Sequence, residues 1–121
     1  MPPSRDVVIL RDLAEQYAAL AAQPVQAERR RLWRAHFSLR PTRPPVLVNY
    51  GLHNVWCREV FGDHQMACED PFLRGHERAL RMAIFHDTIG DDFILEPWLV
   101  LPAVHDTPSG GWGGPWGAPD Q

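Results

Sequence analysis

Apolar residues repeat at helical spacing in the first third of the chain. One stripe consists of Leu10, Leu13, Tyr17 and Leu20. A second consists of Leu32, Ala35, His36 and Leu39. Asp6 is the expected N-cap of the first helix, and Pro24 lies near the start of the second. Because a short link joins them, the two helices are predicted to form an antiparallel hairpin over about residues 6–40.

The middle of the chain changes from helical spacing to short apolar runs. Residues 46–50 (VLVNY) and 93–96 (FILE) read as strands covered on both faces, since their residues do not alternate with polar ones. Between them, Asp70-Pro71 predicts the start of a helix of about five turns, and Gly90 predicts its end. Strand, helix and strand in this order predict an α/β fold: the N-terminal helical hairpin followed by a parallel βαβ unit over about residues 45–101.

Length and composition indicate one domain that is incomplete by itself. The 121 residues suffice for one domain, expected over 1–104, with a Gly/Pro/Trp-rich tail over 105–121 that carries Trp112 and Trp116. A parallel sheet is normally covered on both faces, and two strands are too few for that. The chain is therefore expected to oligomerise or to form the front of something larger.

Charge and cysteine content exclude several classes of function. The net charge is −3, and the twelve basic residues are all Arg, so nucleic acid is not an expected partner and lysine-based chemistry is ruled out. The N-terminus has no signal-peptide pattern, and no apolar run approaches the length of a membrane helix. The two cysteines are expected to be reduced thiols in the cytoplasm, with no membrane association.

Three segments of the chain read RRLWRAHFSLRPTRPPVLV, CEDPFLRGHERALR and GDDFILEPWLVLPAV. Together they resemble the N-terminal part of uroporphyrinogen decarboxylase-like proteins, the superfamily that also contains corrinoid-linked methyltransferases. The CEDPFLRG block is the most specific of them. The resemblance covers roughly residues 8 to 115. It implies a partial (β/α)8 barrel, because a whole barrel needs about 250 residues.

The resemblance also implies where a site would lie, because active sites of such barrels lie at the C-terminal ends of the strands. Tyr50 and His53 would follow the first strand, and Glu96 and Trp98 the second. Glu96 and His53 are the catalytic candidates, and Tyr50 and Trp98 the ligand-binding candidates. A salt bridge to an arginine is the alternative for Glu96, and a surface or packed position is the alternative for His53.

Two departures from the family limit what the resemblance implies. The glutamine-alanine-glycine-arginine stretch of the decarboxylases, whose arginine binds substrate carboxylates, is replaced here by NYGLHNVW. The zinc ligands of the methyltransferase branch would lie beyond this chain. Zinc or a corrinoid therefore belongs to the full-length family, and no cofactor is assigned to this chain.

Two His/Cys pairs and two acidic pairs have weaker chemical interpretations. His53-x3-Cys57 and His64-x3-Cys68 would place a nitrogen and a sulfur ligand on one helical face, as zinc requires, but ordinary buried thiols are the favoured explanation. The adjacent carboxylates at 69–70 and 91–92 resemble catalytic pairs, yet helix capping and loop solvation explain them better.

Two functions are compatible with these features. The first is the N-terminal portion of a uroporphyrinogen decarboxylase-like protein, whose full-length activity would be decarboxylation or corrinoid-linked methyl transfer and which would be inactive alone. Its partner would be the remainder of the barrel. The second is a stand-alone, non-catalytic module that dimerises or binds another protein. The sequence does not decide whether the chain belongs to an enzyme.

Overall fold

A computed structural model describes residues 1–49 and 53–101, without the side chains of residues 53, 54 and 57. Within these two ranges it contains four α-helices and one short 3-10 turn. These elements are α1 (Arg5–Ala21), α2 (Pro24–Phe37), α3 (His53–Glu59), the 3-10 turn (Asp63–Gln65) and α4 (Pro71–Ile89). The predicted tail, with Trp112 and Trp116, lies outside the described residues, so the division into domain and tail stays a prediction.

Local signals in the sequence fix the ends of α4. The Asp70 carboxylate accepts a hydrogen bond from the Leu73 N–H at 2.9 Å, and Pro71 occupies the first turn, where its missing N–H costs nothing. Gly90 ends the helix in the left-handed conformation, with φ of 74°. Both predicted boundaries of α4 are confirmed.

The start of α1 differs from the prediction. Ser4 is its N-cap and accepts from the Val7 N–H at 3.4 Å, so the assignment of that role to Asp6 is wrong. The Asp6 carboxylate instead accepts from the backbone N–H groups of Glu69 and Asp70, at 3.0 and 2.9 Å. Asp6, near the start of α1, thus fixes the segment that leads into α4.

The packing of α1 also differs from the prediction, because this helix packs against α4 and not lengthwise along α2. Leu13 and Leu80 are buried residues of α1 and α4. The predicted antiparallel hairpin of α1 and α2 is therefore wrong. The physical reason is that α2 buries two polar residues, Gln26 and Arg29, whose side chains bond to the segment after α4.

The predicted α/β fold is wrong as well: neither residues 46–49 nor residues 93–96 form a strand, and the described residues contain no sheet. The predicted βαβ unit and partial barrel are therefore wrong too. The two segments do meet, through a 2.8 Å bond from the Asp92 N–H to the Val46 carbonyl. Side-chain oxygens, however, accept the hydrogen bonds from the backbone N–H groups that would otherwise pair two strands. These are the N–H groups of Val46, Val48, Phe93 and Leu95.

Polar groups are as prominent as apolar ones in the interior of the described residues. The buried apolar side chains are those of Leu13, Ala21, Phe61, Cys68, Leu80 and Leu95. The buried polar side chains are those of Asp6, Gln26, Arg29, Glu77, His86, Asp91 and Asp92. Burying a polar group costs free energy unless it is hydrogen-bonded, so these contacts determine which arrangement of the chain is stable.

Glu77 shows how such a group is satisfied. Its side chain is 0% exposed and lies on the face of α4 that covers residues 67–68. It accepts from the backbone N–H groups of Ala67 and Cys68, at 2.9 and 2.8 Å, and from Arg81 Nε at 2.8 Å. Burial alone would raise the pKa of Glu77, but these bonds outweigh it and lower the pKa to about 2.

Candidate functional site

Two adjacent buried carboxylates, Asp91 and Asp92, organise the surface between α4 and the segment that precedes Tyr50. Gly90 positions them, because its left-handed conformation reverses the chain at the end of α4 and returns it toward residues 46–48. We refer to Asp91 and Asp92 as the acid pair.

Asp92 connects three parts of the chain. Its carboxylate accepts two hydrogen bonds from the Arg43 guanidinium, at 2.9 and 2.7 Å, and one from the Val46 N–H at 2.7 Å. Its carbonyl accepts from Trp33 Nε1 at 2.7 Å. The bonds from Arg43 and then from Val46 lower the pKa of Asp92 to about 2, so the side chain is ionised at neutral pH.

Asp91 makes an equivalent set of contacts on the other side. Its carboxylate lies 2.8 Å from His86 Nε2 and accepts from the Val48 N–H at 2.7 Å and the Phe93 N–H at 3.2 Å. The His86 ring stacks on Phe93, with centroids 4.0 Å apart. Burial opposes ionisation, but the bonds from His86, Val48 and Phe93 prevail and lower the pKa of Asp91.

The acid pair binds the backbone of residues 46–48, and the apolar side chains of these residues stay at the surface. The exposed large apolar residues of these segments are Val46, Leu47, Val48, Trp98, Leu99, Val100 and Leu101. We call residues 46–48 and 98–101 the two apolar segments. Scattered exposed apolar residues are normal, but several within two short segments are typical of an interaction surface.

Two concavities adjoin these segments. A cavity of about 380 Å³ is lined by Leu47, Val48, Asn49, Met82, Ala83, His86 and Phe93. A smaller one, of about 130 Å³, is lined by Ala14, Tyr17, Ala18, Leu80, Pro97, Trp98 and Leu99. Both linings are mainly apolar, so they suit an apolar side chain from a partner better than a charged substrate.

Glu96, the main catalytic candidate, is placed in an ion pair. Its carboxylate lies 3.0 Å from Arg30 Nη2, with both side chains about one-third exposed, and its carbonyl accepts from the Tyr17 hydroxyl at 2.7 Å. Trp98 lies two residues further on and is largely exposed. These contacts match the salt-bridge alternative for Glu96, and its catalytic role stays a prediction.

The remaining site candidates, Tyr50 and His53, lie at the edge of the described residues or beyond it. Tyr50 lies outside them. His53 begins α3, and its side chain, like that of Cys57, also lies outside what is described. The predicted roles of Tyr50 and His53 therefore stay predictions, and the structure brings no pair of the four candidates into a described contact.

The weak zinc candidates gain no support from the part of the chain that is described. Residues 1–49 and 53–101 contain no group of three or more His, Cys, Asp or Glu side chains that could hold a metal ion. Cys68 is buried, and this burial, followed by the neighbouring Glu77, raises its pKa to about 11. A thiol with that pKa is protonated at neutral pH when no metal is bound. His64 is exposed on the 3-10 turn.

The residues that build this site are not those that the sequence predicts. Sequence patterns favour loop solvation for the acid pair, whereas both carboxylates and the Arg29 side chain are buried. Arg29 pairs with Asp87 at 2.9 Å and donates to the Phe93 carbonyl at 2.9 Å. The sequence contains one indication of the acid pair's role. Acidic residues that directly follow the glycine at the end of a helix can accept hydrogen bonds from backbone N–H groups near that end.

Comparison with family models, with curated proteins and with solved structures finds no match to this chain. None of the described helices combines the length and the apolarity required to cross a bilayer. The function is therefore inferred from the geometry of the acid pair and the apolar segments.

Proposed function

We propose that this chain is a non-catalytic interaction module whose two apolar segments bind a second copy of the chain. The observation that carries the proposal is the set of exposed apolar side chains at 46–48 and 98–101, next to two apolar cavities. Burial of such side chains is the main favourable contribution to protein association.

The acid pair supports this function because it pre-orders the first segment. Val46 and Val48 are held through their backbone N–H groups at 2.7 Å each, so little conformational freedom remains to be lost when their side chains are covered. A surface ordered before binding loses less entropy on association than a flexible one. A second copy is a suitable partner because a two-fold interface needs only one self-complementary surface.

Size-exclusion chromatography with light scattering tests the proposal on the intact chain. We expect one sharp species of twice the 13.8 kDa chain mass, with a cooperative thermal transition. Leu47→Gln and Leu99→Gln, each at a residue about half exposed, should shift the equilibrium toward monomer. Val8→Gln is the matched control, since Val8 is equally exposed but lies on α1. A monodisperse monomer that melts cooperatively would contradict self-association.

A second function has one specific observation in its favour. The resemblance to uroporphyrinogen decarboxylase-like proteins predicts that residues 46–50 and 93–96 are neighbours, and the N–H of Asp92, directly before the second segment, bonds to the Val46 carbonyl. In that case the apolar segments would be covered by the rest of a longer protein, and decarboxylation or corrinoid-linked methyl transfer would belong to the whole.

Co-expression distinguishes the two functions. If the chain is the front of a longer protein, it should form a one-to-one complex with the polypeptide encoded directly downstream, and it should aggregate in a polydisperse manner when expressed alone. A stable homodimer that does not bind the downstream polypeptide would exclude this second function. Activity is then measured on the complex, where Glu96→Gln tests the predicted catalytic residue.

A further inference from the structure

Charge is distributed very unevenly along the chain. No acidic residue lies between Glu28 and Glu59, so all fifteen Asp and Glu lie outside residues 29–58. The same stretch contains seven of the twelve arginines, at positions 29, 30, 31, 34, 40, 43 and 58. The chain as a whole is acidic, yet this stretch is strongly basic.

Ion pairs within the chain neutralise four of these seven arginines. The pairs are Arg29–Asp87, Arg30–Glu96, Arg43–Asp92 and Arg58–Glu59. Arg31, Arg34 and Arg40 remain, are exposed, and pair with no carboxylate in the described part of the chain. Their positive charge is therefore available to a partner.

Leu39, beside these arginines, has an unfavourable backbone conformation. Its φ is 56°, the left-handed region that bulky residues rarely adopt. The Arg40 N–H bonds to the Ala35 carbonyl at 2.9 Å and the Leu39 N–H to the His36 carbonyl at 3.1 Å, so α2 ends in a Schellman motif with leucine where glycine is preferred. The Leu39 side chain is 94% exposed, so no packing within the described chain compensates for this conformation.

Phe37 extends the apolar part of this surface. It is 75% exposed, and its ring stacks on Trp33 with centroids 5.6 Å apart. Trp33 is fixed in turn by its 2.7 Å bond to the Asp92 carbonyl. The exposed ring therefore has a defined position, as a binding residue requires.

We propose that the end of α2 binds an acidic, amphipathic segment of a partner polypeptide. The site consists of Arg31, Arg34, Phe37, Leu39 and Arg40, and we call it the α2-end surface. Carboxylates of the partner would pair with the three free guanidinium groups, a contact for which the planar guanidinium is well suited. Apolar side chains of the partner would cover Phe37 and Leu39.

A protein partner fits the α2-end surface better than a nucleic acid does. Phe37 offers a ring on which a base could stack, but Leu39 does not, and an exposed aliphatic side chain suits contact with another apolar group. The chain's net charge of −3 also opposes the phosphate backbone outside this surface.

Fluorescence anisotropy on the intact chain tests the proposal. The probe is a labelled synthetic peptide of about 16 residues, with Glu on one helical face and Leu on the other. We expect saturable binding that falls about tenfold in Arg34→Gln, since a charge-assisted contact is lost. Arg11→Gln is the matched control: Arg11 is also exposed, pairs with no described carboxylate, and lies on α1, so this variant should bind as the wild type does.

Leu39→Gly provides a second and independent readout. Glycine adopts the left-handed conformation freely, so the melting temperature should rise by about 3–6 °C, while peptide affinity should fall several-fold. A residue with only a structural role would not move the two quantities in opposite directions.

Three results would overturn the proposal. They are no binding by the wild type, equal losses in Arg34→Gln and Arg11→Gln, and tighter binding of a single-stranded oligonucleotide that displaces the peptide. The site lies outside the two apolar segments, so the dimerisation test and this one can fail separately.

Discussion

Replacing Glu77 by alanine tests most directly whether buried polar contacts hold this chain together. The carboxylate is fully buried and accepts bonds from Ala67 and Cys68 N–H groups and from Arg81. Its loss would leave two backbone donors without an acceptor, at roughly 1–3 kcal/mol each, beside an arginine that has lost its charge partner. We therefore expect Glu77→Ala to lower the free energy of unfolding by about 3–5 kcal/mol.

Urea denaturation at a fixed protein concentration measures this change. Glu59→Ala is the control, because Glu59 forms an exposed ion pair with Arg58 and its loss should change stability by less than about 0.5 kcal/mol. Glu77→Gln, which keeps one acceptor oxygen, should fall between the two. If Glu77→Ala lies within the range of the control, the reasoning is wrong.

The pH dependence gives the same contact a second test. The pKa of Glu77 is about 2 in the folded protein and 4.5 ordinarily, so its charged form stabilises the fold. That stabilisation, about 3 kcal/mol for a shift of this size, is complete above pH 4.5 and is lost as the pH falls toward 2. Glu77→Gln should therefore be less stable at neutral pH but less sensitive to acid. Equal acid sensitivity in the variant and the wild type would argue against the carboxylate's role.

The further predictions concern four single substitutions. Gly75→Ala should stabilise the chain by about 0.5–1 kcal/mol, since the added Cβ would meet nothing within 4 Å apart from the neighbouring backbone of its own helix. Gly90→Ala should destabilise the chain by about 1 kcal/mol, because its φ is +74°. Thermal melts in which both variants move alike would contradict this. Tyr17→Phe, which removes the 2.7 Å bond to the Glu96 carbonyl, should lower stability by about 1 kcal/mol in urea, and no change would show that water replaces the hydroxyl. Asp92→Asn should lower the free energy of unfolding above pH 4 and reduce the loss of stability in acid, because the pKa of Asp92 is about 2 in the folded protein and 3.8 ordinarily. If stability falls with acid equally in the variant and the wild type, the ion pair is refuted.

The sequence predicts those features that neighbouring residues decide. Asp70-Pro71 and Gly90 set both ends of α4, and Pro24 the start of α2, because capping depends on residues within one turn. For Glu96 the sequence leaves open a catalytic role or an arginine partner, and the structure places it beside Arg30.

The errors arise where distant groups compete for the same backbone. An apolar run such as residues 46–50 has no periodicity that separates a strand from an irregular segment. The decisive fact is that the N–H groups of Val46 and Val48 bond to carboxylates more than forty positions away in the sequence. The buried role of Arg29 likewise depends on Asp87, with which it shares no local pattern.

The acid pair also limits how a partner can bind. Asp91 and Asp92 already accept hydrogen bonds from the N–H groups of Val48 and Val46. An added strand would need these same donors to pair with this segment. The second copy proposed above would therefore contact residues 46–48 through their apolar side chains, together with those at 98–101, and burial of apolar surface has a negative heat-capacity change. Dilution calorimetry of the proposed dimer at several temperatures should accordingly give a positive heat-capacity change of dissociation. A value near zero would mean that backbone pairing or charge, and not the apolar segments, holds the copies together.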